Sequence, residues 1–239
     1  MPRLARIVIP GVPHHVVQRG NNRQDVFFVD DDRRAYLAVL RENAKRCGVQ
    51  VLGWCLMTNH VHLIAVPDKG DSLAGCVGGT DFQYARYINR LHGRSGHLWE
   101  GRFHSCALDE EHFWTAMRYV EQNPVRAGME RRAWGYAWSS AAAHAGVREE
   151  DAVADLCAWR RMMDASEWRE ALSHRVAKEE VAFLRRNTER GWPLASDRAV
   201  AKFEKLIGRR LRPLRRGRPK GARDKKPRRL GRKMNGGQQ

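Results

Sequence analysis

Two histidines in the first third of the chain, His60 and His62, are spaced for metal chemistry. They begin an apolar, β-branched run that Pro67 closes, which is typical of a buried strand. Residues two apart on a strand point to the same face, with Cα atoms roughly 7 Å apart, so the two imidazoles project side by side. Such a pair could share one divalent ion whose other ligands come from elsewhere in the fold. The alternative is two strand histidines satisfied by hydrogen bonds, and the spacing alone leaves both interpretations open.

A candidate nucleophile lies on a helix predicted from Glu110 to about Gln122. The helix carries an apolar stripe that should face the sheet, formed by Phe113, Met117 and Val120. Tyr119 lies at the edge of that stripe, and Asn123 follows one turn later on the same side. The simpler interpretations are a core tyrosine with its hydroxyl in water, and an asparagine that ends the helix before a proline.

A phenol, two imidazoles and an amide oxygen form a coherent set for cutting a phosphodiester. Tyr119 would attack phosphorus and become a covalent phosphotyrosine. A divalent ion held by the two histidines and Asn123 would polarise the scissile phosphate. These ligands suit Mg²⁺ or Mn²⁺, with the nitrogens favouring Mn²⁺, and zinc is a third candidate. Five cysteines are scattered without a Cys-x-x-Cys pair, which argues against a thiolate zinc site and fits a reducing, cytoplasmic compartment.

The elements that must position these residues follow the order β-α-β-β-α-β-α. We predict strands at residues 14–20, 49–57, 60–66 and 104–108, and helices at 30–47, 72–91 and 110–122. This split β-α-β pattern predicts an α+β fold, a ferredoxin-like antiparallel sheet with helices on one face. We assign a catalytic domain to residues 1–146, a helical accessory region to 147–208 and a basic tail to 209–239.

The placement of charge indicates a polyanionic partner. The chain has a formal net charge of +17, and residues 209–233 contain fourteen Lys or Arg against one Asp. That segment contributes +13, which leaves only +4 for the rest of the chain. Such a block either keeps a protein soluble or binds a polyanion, most often nucleic acid. No run approaches the ~20 apolar residues of a membrane span, so we expect no membrane association.

Several residues are candidates for contact with DNA. A Gly-rich loop at 93–103 interleaves cations with aromatic rings, a mixture that holds and stacks single strands; it contains Arg94, Trp99 and Arg102. Trp99 could instead close the hydrophobic core. Arg19 and Arg126 could touch phosphate or form surface ion pairs.

The tail contains a second type of DNA-binding candidate. Arg216 and Arg218 flank a glycine in a segment that resembles an AT-hook, which inserts arginines into the narrow minor groove of AT-rich duplex DNA. Nonspecific phosphate binding by the same residues is the alternative.

Several motifs in one order resemble a known family. They are the His-Val-His pair itself and the longer segments Trp54–Leu63, Gly96–Phe103 and Arg118–Gly128. Together they resemble the HUH nucleases, specifically the single-tyrosine transposases of the 200/605 insertion-sequence family, and within it the REP-associated tyrosine transposases. The resemblance covers about residues 1–146.

The resemblance implies a function and a role for each matching residue. His60 and His62 would bind the divalent metal and Tyr119 would be the nucleophile, while Asn123 replaces the glutamine of the insertion-sequence enzymes. Tyr87 is a competing nucleophile by residue type, but it lacks the trailing amide. The family cuts single-stranded DNA beside a hairpin, forms a 5′-phosphotyrosine and rejoins strands.

Other properties stay open at this point. The insertion-sequence relatives work as dimers and the REP-associated branch as monomers, so either state is compatible with this chain. The expected location is the bacterial cytoplasm, in association with the nucleoid. Two rival functions use the same features: a catalytically silent DNA-binding regulator of repeat elements, and an RNA-binding module, which competition between single-stranded DNA and RNA would test.

Deleting residues 209–239 is expected to weaken DNA binding and to flatten its dependence on salt, because fewer counterions are released from the phosphates. Binding isotherms of the full-length and shortened proteins at several salt concentrations measure both effects. The chemistry at Tyr119 should persist at saturating DNA. Loss of cleavage under that condition would show that the tail has a further role.

Overall fold

A four-stranded antiparallel sheet forms the centre of the molecule. The computed structural model describes residues 6–211 of the 239. The strands are β1 (His14–Arg19), β2 (Val49–Leu56), β3 (His60–Pro67) and β4 (His104–Ala107), and they lie in the order β2-β3-β1-β4. This is the strand order of a ferredoxin-like sheet, so the predicted α+β class is confirmed. The predicted AT-hook residues, Arg216 and Arg218, lie outside the described residues.

Two helices cover one face of this sheet. Helix α1 (Asp30–Cys47) begins where the backbone N–H groups of Phe28 and Val29 donate to the buried Asp32 carboxylate. It ends at Gly48, whose φ of 63° is the left-handed conformation that favours glycine. Helix α2 (Gly79–Leu91) follows a π-helical turn (Ala74–Gly78). Both helices share a core with alternate residues of β3, namely Val61, Leu63 and Ala65.

The remaining helices include α3 (Glu110–Glu121), which packs on the opposite face. Met117 and Val120 of α3 share a core with Ile64 of β3. The prediction of helices on one face therefore holds for α1 and α2 but not for α3. Further helices follow along the chain: α4 (Asn123–Arg126), α5 (Ala141–His144), α6 (Leu156–Arg160), α7 (Ala165–Ser173), α8 (Lys178–Arg190) and α9 (Asp197–Ile207). Within residues 6–211, no helix is both long and apolar enough to cross a membrane.

The region beyond residue 146 packs directly on the face that carries α3. Trp159 of α6, Trp168 of α7 and Leu184 of α8 are buried in the same hydrophobic core as Tyr119. The accessory region that we assigned from sequence thus shares its core with the assigned catalytic domain.

A buried carboxylate at the end of α3 links these layers. Glu121 accepts hydrogen bonds from Ser140 Oγ at 2.6 Å and from Trp168 Nε1 at 2.8 Å, and it pairs with His144 Nδ1 at 2.6 Å. The Glu121 and His144 side chains are fully buried. One acceptor therefore satisfies three donors that come from later segments of the chain.

Replacing Glu121 with alanine is expected to lower the free energy of unfolding by about 3 kcal/mol or more, because three buried donors lose their acceptor. Urea denaturation measures the change. Glu170→Ala makes the same chemical change at an exposed position of α7 and should have little effect. Equal stability of the two variants would contradict the role assigned to Glu121.

Candidate active site

Three histidines meet where β1 pairs with β3. In the register of this pairing Val17 lies opposite His62, which places His15 diagonally across from His62 on the same face. His15 Nε2 and His62 Nδ1 are 2.9 Å apart, and the two ring planes are within 8° of parallel. The rings of His60 and His62 are 5.0 Å apart between centroids. The structure thus brings the predicted pair together and adds a third histidine to it.

All three imidazoles are held in the neutral form. Burial lowers the pKa of His15 to about 3 and that of His60 to about 4. Burial also lowers the pKa of His62 well below its usual value, and the neighbouring His60 and His15 add to the effect. Positive charge nearby, including Arg126, lowers all three further. Neutral imidazole is the form that binds metal ions.

The predicted nucleophile lies against this cluster. Tyr119 is 2% exposed, and its ring centroid is 5.4 Å from that of His62 and 5.6 Å from that of His15. Its hydroxyl accepts a hydrogen bond from Arg185 Nε at 3.0 Å. The guanidinium carbon of Arg126 lies 4.2 Å from the centroid of the Tyr119 ring. Both guanidinium groups therefore contact the Tyr119 side chain.

Asn123 lines the same cleft, but its amide is engaged. Its nitrogen donates to the carbonyl oxygens of Tyr119 and Val120, both at 3.2 Å, so it caps the end of α3. Its oxygen accepts a hydrogen bond from Arg126 Nη2. These contacts support the helix-ending interpretation of Asn123. Its role as a metal ligand stays a prediction.

The two histidines fit a divalent ion as a pair of nitrogen ligands. Within residues 6–211, no group of three or more His, Cys, Asp or Glu side chains is arranged to hold a metal ion. His60 forms its hydrogen bond through Nδ1, to Asn59 Oδ1 at 2.7 Å, and His62 also uses Nδ1. In this part of the chain Nε2 of each ring is therefore left for a ligand, the arrangement that metal-bound histidines adopt. The further ligands would have to come from solvent, from DNA or from Asn123.

A broad basic cleft surrounds the cluster. Its volume is about 1250 Å³, and among the described residues nine arginines and two glutamates line it. Three of the predicted DNA contacts, Arg19, Arg102 and Arg126, are among those arginines. The excess of cations suits a phosphate backbone.

Two of the predicted DNA contacts lie elsewhere. Trp99 is only 7% exposed, and its indole N–H donates to the carbonyl oxygen of Asp81 at 2.9 Å. The ring therefore belongs to the core beneath the loop, which supports the alternative that Trp99 closes the core, and its stacking on bases stays a prediction. Arg94 is exposed outside the cleft and donates to Gln24 Oε1 at 3.0 Å.

Comparison with known proteins finds a family model that matches the segment containing this site. The family model for IS200-like transposases matches residues 10–123, a segment that contains β1 to β4, all three candidate metal ligands and Tyr119. Residues 10–123, just under half of the chain, thus match the IS200-like transposase family.

One solved structure supports the fold described above, and a second shows a weaker similarity. The structure of the REP-associated tyrosine transposase bound to a REP hairpin aligns with a TM-score of 0.51 and 16% identity, over 59% of this chain and 82% of that chain. A putative transposase from Deinococcus radiodurans is 19% identical over 51% of this chain and 97% of that chain, with a TM-score of 0.36. No curated protein matches the chain.

Sequence reasoning missed three residues of the site. His15 was assigned only to the first strand, although its position in β1 puts it on the same face as His62. Arg185 and Thr188 lie on α8, outside the segment that the family model matches. A helical pattern predicts α8 itself, but nothing in that pattern shows which residues it brings to the sheet.

Arg102→Ala is expected to weaken binding of single-stranded DNA and to reduce the slope of log affinity against log salt by about 0.7, because one phosphate contact is lost. Arg94→Ala is the matched control, since it removes the same charge from the same loop but outside the cleft. Fluorescence anisotropy at several salt concentrations measures both variants. Equal losses for the two variants would place the DNA outside the cleft.

Proposed function

We propose that this protein is a metal-dependent DNA endonuclease and strand transferase that cuts and rejoins hairpin-bearing single strands through Tyr119. The observation that carries the proposal is the position of the Tyr119 hydroxyl. It lies in contact with Arg185 and beside the His62 ring, in a basic cleft that His60 also lines. The match of residues 10–123 to the IS200-like transposase family supports the same proposal.

The reaction begins with attack by the Tyr119 oxygen on the scissile phosphorus. A bond forms between the phenol oxygen and phosphorus, and the bond between phosphorus and the 3′ oxygen breaks. The products are a 5′-phosphotyrosine and a free 3′-hydroxyl. Because the phosphodiester energy is kept in the covalent intermediate, a 3′-hydroxyl can attack it and restore a DNA strand without an external energy source.

Two arginines prepare the nucleophile for this step. Arg185 donates to the Tyr119 oxygen at 3.0 Å, and Arg126 lies over the ring. Their positive charge stabilises the negative charge that develops on the phosphate oxygens when the bond to phosphorus forms. When DNA enters the cleft, these guanidinium groups can exchange their present partners for phosphate.

His60 and His62 would hold the divalent ion, Mg²⁺ or Mn²⁺, through their Nε2 atoms. When bound, such an ion polarises a phosphate oxygen as a Lewis acid. Within the protein, the hydrogen bond from His60 to Asn59 and that between His62 and His15 fix the two ring orientations.

The substrate we propose is single-stranded DNA next to a palindromic hairpin. The support is the similarity in fold to the REP-associated transposase whose structure contains a REP hairpin. The nine arginines of the cleft fit the high charge density of such a folded strand.

An oligonucleotide that carries a hairpin from DNA flanking the gene tests the proposal. With Mn²⁺, a 3′-labelled oligonucleotide should give a labelled covalent adduct, because the 5′-phosphate of the downstream fragment stays on the protein. A 5′-labelled oligonucleotide should give only a shorter free strand. The opposite pattern of labels would contradict a 5′-phosphotyrosine.

Tyr119→Phe is expected to abolish the adduct, because the attacking oxygen is absent. Tyr87→Phe is the matched control: it removes the same atom from an exposed position on α2, and the adduct should persist. Denaturing gels measure the adduct for both variants. An adduct that survives Tyr119→Phe would exclude Tyr119 as the nucleophile.

A further inference from the structure

A chain of buried hydrogen bonds connects α8 to the candidate metal ligand His62. His62 Nδ1 and His15 Nε2 are 2.9 Å apart, and His15 Nδ1 and Thr188 Oγ1 are 2.8 Å apart. The Thr188 hydroxyl in turn donates to the carbonyl oxygen of Leu184, one turn earlier in α8, at 2.8 Å. His15, His62 and Thr188 are each no more than 3% exposed, so protein groups rather than bulk water decide the direction of these bonds.

The Thr188 hydroxyl determines which group donates and which accepts in each of these hydrogen bonds. A hydroxyl has one hydrogen, and that of Thr188 goes to Leu184, so Thr188 accepts a hydrogen bond from Nδ1–H of His15. A neutral imidazole carries one ring hydrogen, so Nε2 of His15 is an acceptor. It must accept from Nδ1–H of His62, which leaves Nε2 of His62 without a hydrogen. That is the form of His62 that can bind a metal ion.

The surroundings of Thr188 fit this direction. Cys106 Sγ lies 3.2 Å from Thr188 Oγ1 and can donate to its second lone pair. The hydroxyl then makes one hydrogen bond as donor and two as acceptor. In the reversed chain Thr188 donates to His15, His15 donates through Nε2, and His62 carries its hydrogen on Nε2. The carbonyl oxygen of Leu184 then loses its hydrogen bond from the Thr188 hydroxyl. The hydrogen on Nε2 of His62 prevents that atom from binding a metal ion.

We propose that Thr188 is a positioning residue that acts through His15 to keep Nε2 of His62 ready for a metal ion. The proposal rests on the proposed function of His62 as a ligand, and it concerns which nitrogen holds the hydrogen of a neutral ring. It also makes α8 a part of the active site, although α8 lies outside the segment that the transposase model matches. α8 is held in place beside β4, where His104 Nδ1 lies 3.1 Å from the carbonyl oxygen of Glu189.

The hydrogen positions can be measured in the unmodified, metal-free protein. Long-range ¹H–¹⁵N correlation spectra of histidine-labelled full-length protein distinguish the two tautomers of each ring. The series of hydrogen bonds from Thr188 through His15 to His62, here called the relay, requires the hydrogen on Nδ1 of His15 and on Nδ1 of His62. A hydrogen on Nε2 of His62 would overturn the proposal without any substitution having been made.

Thr188→Val and Thr188→Ser provide the matched pair of variants. Valine has nearly the shape of threonine but cannot accept the hydrogen bond, so Mn²⁺ binding should weaken by about 10–100-fold and the hydrogen of His62 should move to Nε2. Serine keeps the hydroxyl and should restore both properties. Isothermal titration with Mn²⁺ measures the affinity, and melting temperatures show whether each variant is folded.

The outcomes separate this proposal from the proposed function. Wild-type Mn²⁺ affinity and an unchanged tautomer in folded Thr188→Val would overturn the relay. If Thr188→Val does not fold, the tautomers of the wild type and of Thr188→Ser decide the question. Both readouts are made without DNA, so an absent Tyr119 adduct would count against the proposed function and not against the relay.

Discussion

The hydrogen bond between His15 of β1 and His62 of β3 is the contact on which the candidate site depends. It forms because the antiparallel register of the two central strands places these residues diagonally on one face. The same face receives α3, which presents Tyr119 to both rings. A shift of the register by one residue would turn one of the two histidines to the opposite face and break the contact between them.

The arginines around the cleft have two effects on this site. Nine arginines around the cleft provide positive potential for a DNA backbone. Several of them also disfavour protonation of the imidazoles; Arg126 contributes to the lowered pKa of His15, His60 and His62. A site that attracts phosphate thus also keeps its candidate metal ligands neutral. Arg126 and Arg185 extend the same field to the Tyr119 oxygen.

The sequence predicted much of the fold because local patterns determine it. The alternation in β3, the acidic start of α1 and the glycine at its end all act over a few residues, and the predicted bounds of α1 agree with the structure. His60, His62 and Tyr119 were found because their residue types and spacing follow from the elements that carry them. The face on which α3 packs was not predictable from one apolar stripe, which shows only that the helix faces a sheet.

The rest of the site depends on contacts between distant parts of the chain. Thr188 meets His15 across 173 residues, and Arg185 meets Tyr119 across 66. The periodicity of the sequence does not predict such long-range contacts. An amphipathic pattern shows which side of a helix is buried, but it does not show which residues that side packs against. Trp99 illustrates the converse, because an aromatic residue in a basic loop has the same sequence pattern whether it binds bases or fills the core.

The central claim is that the Tyr119 oxygen becomes covalently bound to DNA, and peptide mapping of the adduct tests it most directly. After nuclease trimming and digestion with trypsin, mass spectrometry should find the nucleotide phosphate on the peptide of residues 119–126, which begins with Tyr119. A phosphate on any other residue, for instance in the peptide of residues 87–90 that begins with Tyr87, would contradict the account.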